Sequence, residues 1–152
     1  MTGLIFNSAG NLEPGIYSVV WVELVKIFGT SESRMRLLAG LQRAAQSLRQ
    51  AGCDVLYVDG SFVTQKEASF GAPPNDFDGC WDLSNVDPTK LDPVLLDFSN
   101  KRAAQKAKFF GELFPAGSPA DNKGTAFLDF FQQDKNTGEP KGIIALDLSS
   151  LP

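Results

Sequence analysis

A long amphipathic helix followed at once by a short strand is the pattern that most restricts how this chain folds. From Ser31 onward, apolar residues recur along one helical stripe until Gly52 ends the run (Leu37, Leu38, Leu41, Ala44, Ala45 and Leu48). Ser31 or Thr30 is expected to cap this helix. Residues 53–58 are rich in β-forming side chains and predict a strand. Helices and strands therefore alternate, which is typical of an α/β or α+β domain.

The rest of the chain predicts further short elements within one domain, residues 1–152. Residues 1–16 are expected to be irregular, and Ser18 is expected to cap a helix that runs to Phe28. Ser99 is expected to cap a helix over 100–110. Strands are expected to begin at 76 and to cover 93–98, 112–114, 126–133 and 142–148. The last two would be joined by a hairpin connection at 135–138.

Histidine is absent from the 152 residues, and this excludes several classes of active site. A Ser-His-Asp triad, a Cys-His pair and a histidine-bound zinc ion are all ruled out. Any catalysis must use carboxylates, hydroxyls, lysines or a hard metal ion. Cys53 and Cys80 match no metal or redox motif, so we expect free thiols and a cytoplasmic location. No secretory signal and no membrane-spanning run are recognisable, so no membrane partner is expected.

Charge is distributed unevenly along a chain whose net charge is −4. Between Asp59 and Asp97 there are eight acidic residues and two lysines, whereas 101–108 contains four basic residues and no acid. An acidic segment followed by a basic one suits a site that holds a cation beside a phosphate. It also suits an ordinary solvated surface, and the net charge is unlike that of a general nucleic-acid coat.

The sequence between the predicted strand and the acidic pair suggests a nucleotide site. Gly60 allows the backbone to approach a phosphate closely, and Ser61 adds a hydroxyl donor. Asp76 and Asp78 would lie on one face of a strand, because side chains alternate with period two. Two carboxylates so close repel each other unless positive charge lies between them, and Mg²⁺ prefers such oxygen ligands. Ordinary turn carboxylates and a turn serine remain the alternative interpretation.

This arrangement resembles the minimal nucleotidyltransferases of the polymerase-β-like fold. The apolar strand, Gly60-Ser61 and Asp76-Phe77-Asp78 carry the resemblance. The longer pattern, with Gly111-Glu-Leu-Phe-Pro115 and the 141–144 strand, resembles a group of small bacterial nucleotidyltransferase-like proteins. The resemblance implies Mg²⁺-dependent transfer of a nucleoside monophosphate from an NTP, such as ATP, to a hydroxyl of RNA, protein or a small molecule. It also implies a second small protein as partner, as in toxin–antitoxin or phage-defence pairs.

The resemblance assigns roles to individual residues. Gly60 and Ser61 match the phosphate-binding turn, with Thr64 and Lys66 beside it, and Asp76 and Asp78 match the metal-binding pair. A third acid is expected on a strand after the next helix. Glu112 suits that position best, Asp97 competes with it, and Asp147 ranks third. Lys141 is either a triphosphate contact or a solvated hairpin residue, and 101–108 is either a solvated helix face or a phosphate-contacting one.

Two other functions remain open at this point. A degenerate member of the same fold would bind a nucleotide or a partner protein without chemistry. A metal-dependent phosphohydrolase would use the same carboxylates with water as acceptor. The sequence departs from the family pattern because Phe62, Val63 and Thr64 stand where many members place an arginine, and because Gly79-Cys-Trp-Asp82 replaces a continuous apolar strand.

Overall fold

The computed structural model describes residues 3–65 and 73–152, which build an α+β domain around one mixed sheet. The strands are β1 (Ile16–Val19), β2 (Val55–Asp59), β3 (Phe77–Trp81), β4 (Gly111–Pro115) and β5 (Ile143–Asp147). The helices are α1 (Trp21–Phe28), α2 (Glu32–Gln50), α3 (Ser99–Phe109) and the short α4 (Phe127–Phe130). Single 3-10 turns follow β2, precede α3 and follow β5.

The five strands lie in the order β1-β5-β2-β3-β4. β2 runs antiparallel to both of its neighbours, β5 and β3, whereas β1 pairs parallel with β5 and β4 pairs parallel with β3. β2 and β3 are paired from Leu56 with Trp81 to Asp59 with Asp78. β3 therefore continues through Gly79 and Cys80, and all five of its residues have partners on β4.

The two faces of the sheet have different coverings. One face carries the main core, in which Leu56, Trp81 and Leu146 pack with the buried residues of α1, α2 and α3. The other face carries a small cluster around Cys80, Phe131 and Ile143, with Phe114, Phe127 and other half-buried residues packed against it. Since side chains alternate along a strand, the residues two positions away from Cys80 and Phe114 also belong to this less covered face.

Several elements predicted from local patterns are confirmed. α2 has the predicted apolar stripe, and the Ser31 side chain accepts a hydrogen bond from the Arg34 backbone N–H at its start. The strands predicted from 53–58, 112–114 and 142–148 correspond to β2, β4 and β5. The turn expected at 135–138 is present, because the Gly138 N–H donates to the Asp134 carbonyl at 2.7 Å.

The predicted start of the first helix is wrong, although the helix itself is present and ends at Phe28 as predicted. Ser18 does not cap it, because Ser18 lies in β1 opposite Ala145, and α1 begins at Trp21. The same finding shortens the irregular segment, since β1 already starts at Ile16. The strand predicted over 93–98 is wrong, because Pro93–Leu96 form a 3-10 turn whose start is capped by the Asp92 carboxylate, which accepts the Val94 N–H.

The strand predicted over 126–133 is also wrong. The segment forms α4, a helix of one turn, and then a tight loop. Phe127 and Phe131 share a helical spacing of four residues, and their rings pack together with centroids 5.6 Å apart. Both rings also contact Phe114 on β4, so packing on the sheet selects the helical conformation over an extended one.

The predicted helix at 100–110 is confirmed in part. α3 ends at Phe109, but Asn100, Lys101 and Arg102 have left-handed backbones, with φ of 51°, 56° and 61°. Such conformations cost roughly 1–2 kcal/mol per residue for side chains other than glycine. Ser99 is therefore not a regular cap, and this turn sends Arg102 toward β4, where its guanidinium reaches Glu112.

Gly40 allows α2 to pack against the end of α3 at backbone distance. A Cβ on Gly40 would lie 2.0 Å from the Phe109 carbonyl oxygen, just before β4 begins. We expect Gly40→Ala to lower the free energy of unfolding by about 2 kcal/mol or more, although alanine favours helices. Chemical denaturation measures this loss. Ala39→Gly on the exposed side is the control, and it should cost only about 1 kcal/mol; an equal or smaller loss for Gly40→Ala would contradict the close packing.

Candidate functional site

Three carboxylates lie side by side across the less covered face of the sheet. Asp59 at the end of β2 is the register partner of Asp78 on β3, and Asp78 is in turn the partner of Glu112 on β4. Register partners point to the same face, so the three side chains form a row, called here the acid row. Asp76 lies two residues before Asp78, directly ahead of β3. The sheet thus concentrates four acids at one end of its central strands.

The Gly60–Ser61 turn lies against this row. Gly60 has φ of +90°, and the chain then forms a 3-10 turn over Ser61–Val63. A Cβ on Gly60 would be 2.9 Å from the Asp78 carboxylate oxygen, so both the conformation and the space require glycine. Thr64 follows the turn, and its hydroxyl donates to the Ser61 carbonyl at 2.7 Å. The turn and the acids therefore form one wall of a cavity that is lined by Gly60, Ser61, Thr64, Asp76 and Asp78.

A buried arginine donates hydrogen bonds to the backbone of this turn. Arg34 on α2 is 2% exposed, and its guanidinium donates to the carbonyls of Phe62, at 2.6 Å, and Thr64, at 3.0 Å. It also lies 5.3 Å from the centre of the Phe62 ring. The Gly60–Thr64 turn is therefore fastened to the longest helix by charge-assisted hydrogen bonds.

Basic residues form ion pairs with some of these acids and not with others. Arg102 contacts the Glu112 carboxylate at 2.8 Å and Lys106 contacts it at 3.5 Å. Lys141, just before β5, contacts the Asp59 carboxylate at 2.9 Å. Within residues 3–65 and 73–152, neither Asp76 nor Asp78 forms an ion pair with a lysine or arginine. Among the described residues, ion pairs are therefore found at both ends of the row, at Glu112 and Asp59, and not at Asp78 in its middle.

The pKa values follow this distribution. Burial raises the pKa of Asp78 from 3.8 to about 7, and the charges of Asp76, Asp59 and Glu112 and a hydrogen bond with Glu112 add to the shift. Burial and the Glu112 charge also raise the pKa of Asp76. Burial acts in the same direction on Glu112, but Arg102 and Lys106 outweigh it and lower the pKa of that carboxyl. Protons and cations will therefore bind preferentially at Asp76 and Asp78.

The donor set is chemically suited to Mg²⁺, although it supplies few ligands. Asp76 and Asp78 are carboxylates whose pKa values are raised, first by burial and then by neighbouring negative charge. Mg²⁺ commonly takes one or two carboxylates and completes its shell with phosphate oxygens and water. Over the described part of the chain, no group of three or more acids or cysteines is arranged to hold a metal ion. The two aspartates are therefore the residues that would hold it.

The structure places the remaining predicted residues in different surroundings. Of the three proposed third acids, Glu112 adjoins Asp78, whereas Asp97 lies before α3 and accepts hydrogen bonds from Ser99. Asp147 pairs with Val55, at the opposite end of β2 from Asp59. Lys66 lies outside the described residues.

Sequence reasoning missed three parts of the cavity: Asp59, the ion pair of Lys141, and the segment from Phe130 to Asn136. Asp59 directly precedes Gly60, and that adjacency was the one local signal available. The others approach the acids only through the pairing of β5 with β2, which brings distant segments together.

Comparison with known proteins identifies the chain as a member of one family. The model of a family of unknown function, DUF6932, matches residues 4–147, so the chain belongs to that family. Neither the curated proteins nor the solved structures yielded a match. In the described residues, no helix is both long enough and apolar enough to cross a membrane.

The bonds from Arg34 predict a measurable contribution to the turn. Arg34→Met keeps an unbranched apolar stem but leaves the Phe62 and Thr64 carbonyls without their charged donor. We expect a loss of about 2–4 kcal/mol in the free energy of unfolding, since hydrogen bonds to charged groups and buried polar atoms are involved. Denaturant unfolding measures it, with exposed Arg36→Met as the control. A loss no larger than that of the control would show that the turn does not depend on Arg34.

The raised pKa of Asp78 predicts how stability depends on pH without divalent cations. The folded state binds the Asp78 proton more tightly than the unfolded state does. This contribution is complete below about pH 4 and is lost as pH rises through about 7. Asp78→Asn removes the loss, so we expect the variant to gain a few kcal/mol over wild type between pH 4 and pH 8.

Denaturant unfolding in EDTA across this pH range measures the difference between the two proteins. A constant difference for Asp78→Asn would show that Asp78 is ionised throughout.

Proposed function

We propose that this protein is a Mg²⁺-dependent nucleotidyltransferase that moves a nucleoside monophosphate from an NTP to an acceptor hydroxyl. The observation that carries the proposal is that the Gly60–Ser61 turn and three acids, Asp59, Asp76 and Asp78, line one cavity. Asp76 and Asp78 are the acid pair predicted from sequence, and Glu112 is the register partner of Asp78. The acceptor belongs to an RNA 3′ end, a protein or a small molecule. The nucleotidyltransferase-like arrangement of the sheet is part of the same proposal.

Each group of residues has a role in this reaction. Gly60 and Ser61 face the phosphates of the NTP, and Lys141 adds positive charge to the same cavity. Asp76 and Asp78 hold Mg²⁺, which when bound supplies the charge that stabilises the attacking and leaving oxygens. The acceptor oxygen forms a bond to the α-phosphorus as the bond to the bridging oxygen breaks and pyrophosphate leaves. A carboxylate of the acid row takes the acceptor proton.

A non-catalytic binding module is the second candidate, and a specific observation favours it. Glu112 is held by Arg102 and Lys106, and Asp59 is held by Lys141, so two of the three acids in the row are already paired. Such a module binds the nucleotide, or a small partner protein such as a toxin or antitoxin, without turnover. The two candidates share the nucleotide site and differ in whether an acceptor is ever modified.

Nucleotide binding is tested first by thermal unfolding with Mg²⁺ and each NTP in turn. A ligand that binds only the folded state stabilises it by about 2.7 kcal/mol at a hundred times its Kd. We expect this to raise the Tm of wild type by roughly 5–10 °C for a domain of this size. Asp76→Ala/Asp78→Ala should abolish the shift, as should EDTA. Asp147→Ala is the matched control and should keep the full shift, since Asp147 lies at the other end of the sheet.

Turnover is tested with NTP labelled on the α-phosphate. Wild type should release pyrophosphate and label RNA, protein or a small acceptor, and Asp76→Ala/Asp78→Ala should not. Binding without release of pyrophosphate supports the binding module, and release of phosphate into water alone supports a hydrolase. If no nucleotide shifts the Tm of wild type, both nucleotide proposals fail.

A further inference from the structure

The cavity lining has a second part that differs from the acids in chemistry. The segment from the end of α4 to the following turn supplies it through Phe130, Phe131, Gln133, Asp134, Lys135 and Asn136. We call this segment the opposing wall. It combines an aromatic ring with two side-chain amides, whereas the rest of the lining includes Asp76, Asp78 and the Gly60–Ser61 turn. A planar polar group joined to a phosphate group that carries a cation suits such a lining.

Phe130 is the aromatic member of the opposing wall, and it is exposed at 37%. Phe131 beneath it is 7% exposed, and the two rings meet nearly edge to face, with centroids 6.2 Å apart and an interplanar angle of 62°. Phe98 is similarly exposed at 40%, but its ring lies parallel to Phe114, with 6.0 Å between centroids, outside the cavity. Phe130 thus combines exposure, an anchored ring and a position in the cavity.

The amides of Gln133 and Asn136 are unused within the described part of the protein. The preceding Gln132 donates its amide to the Leu128 carbonyl at 3.0 Å, but Gln133 and Asn136 make no side-chain hydrogen bond to another described residue. Both are exposed and line the cavity. An amide offers a donor and an acceptor together, which is the pattern that the polar edge of a nucleobase presents.

The loop that carries these amides is held in place by several hydrogen bonds. The Asp134 carboxylate accepts the Asn136 N–H at 2.8 Å and the side-chain amide of Asn11 at 2.9 Å. The Asp134 backbone pairs with both Glu139, at 2.8 Å, and Gly138, at 2.7 Å. The opposing wall is therefore preorganised, so binding there loses less entropy than ordering a free loop would.

We propose that the opposing wall binds the nucleobase of the nucleotide whose phosphates face Gly60–Ser61. The base stacks on Phe130, and the amides of Gln133 and Asn136 hydrogen-bond to its edge. Stacking on an aromatic ring tolerates every base, whereas the amides give preference among bases. This inference rests on the proposed nucleotide site and assigns its base-recognition residues.

Calorimetry with two Mg²⁺-loaded ligands separates the base from the phosphates. One is each NTP in turn, and the other is inorganic tripolyphosphate, which has no base. Wild type should bind at least one NTP much more tightly than tripolyphosphate. Phe130→Ala should weaken that NTP by about 5- to 150-fold, the range of base–aromatic stacking, and leave tripolyphosphate unchanged. Gln133→Ala should change the order of preference among the NTPs.

Three further variants make the test specific. Phe130→Tyr should retain affinity because it retains the ring, and Phe130→Leu should lose it although it retains apolar bulk. Phe98→Ala is the matched exposed phenylalanine outside the cavity and should bind both ligands like wild type. Thermal unfolding of each variant shows that it is folded under the conditions used.

The outcomes also separate this inference from the proposed function. If wild type binds NTP no more tightly than tripolyphosphate, or Phe130→Ala binds NTP normally, the base site is overturned while the phosphate site stands. Equal weakening of both ligands by Phe130→Ala would make Phe130 a support of the cavity and would also overturn the base site. If wild type binds neither ligand, the proposed function fails together with the inference.

Discussion

The site depends on one buried cation, the guanidinium of Arg34. A charge that is 2% exposed is costly unless its donors are satisfied, and here backbone carbonyls at Phe62 and Thr64 satisfy them. The same bonds fix the chain where it leaves β2 and turns back, so the energy that keeps Arg34 buried also fixes the shape of the Gly60–Thr64 turn. α2 is positioned in turn by its close contact with the end of α3 at Gly40, directly before the strand of Glu112. One helix therefore fixes both the Gly60–Thr64 turn and the start of the strand that carries Glu112.

The sheet explains why acids can gather where the core would otherwise lie. Its helix-covered face buries Leu56, Trp81 and Leu146, and this supplies the hydrophobic stabilisation of the domain. Among the described residues, the other face is covered by the small aromatic cluster near α4, and the cavity lies beside Asp59 of β2 and Asp78 of β3. Neighbouring strands lie about 5 Å apart, so register partners of like charge repel each other strongly. Burial raises the pKa of Asp78 in the middle of the row to about 7, and the charges of Asp76, Asp59 and Glu112 add to the shift.

The sequence predicted the elements whose pattern lies in neighbouring residues. It failed for the elements whose structure depends on pairing between distant segments. Local patterns predicted α2 from its apolar stripe and β2 from its β-forming residues. The spacing from Gly60-Ser61 to Asp76 is likewise a local pattern, and it led to the candidate site. β1 was missed because its four residues gain their partners from β5, more than a hundred residues later. The strand expected over 126–133 was wrong because Phe127 and Phe131 pack on Phe114 as a helical pair. For the candidate site, Asp76 and Asp78 were predicted from spacing and Glu112 was ranked before Asp97 and Asp147, but only the register of β3 with β4 shows that Glu112 lies beside Asp78.

The positions of the basic residues determine where the cavity favours positive charge and where it favours negative charge on a ligand. Arg102 reaches Glu112 from a left-handed turn, a conformation that local energetics disfavour, so the contact with Glu112 must help to hold that turn in place. With Glu112 and Asp59 already paired, added positive charge gains most beside Asp76 and Asp78, the acids with raised pKa values. Added negative charge gains most near Lys141, whose ammonium lies in the cavity at its pair with Asp59. A ligand that brings a cation and a polyphosphate together places positive charge beside Asp76 and Asp78 and negative charge near Lys141. Either ion alone makes only one of these two interactions.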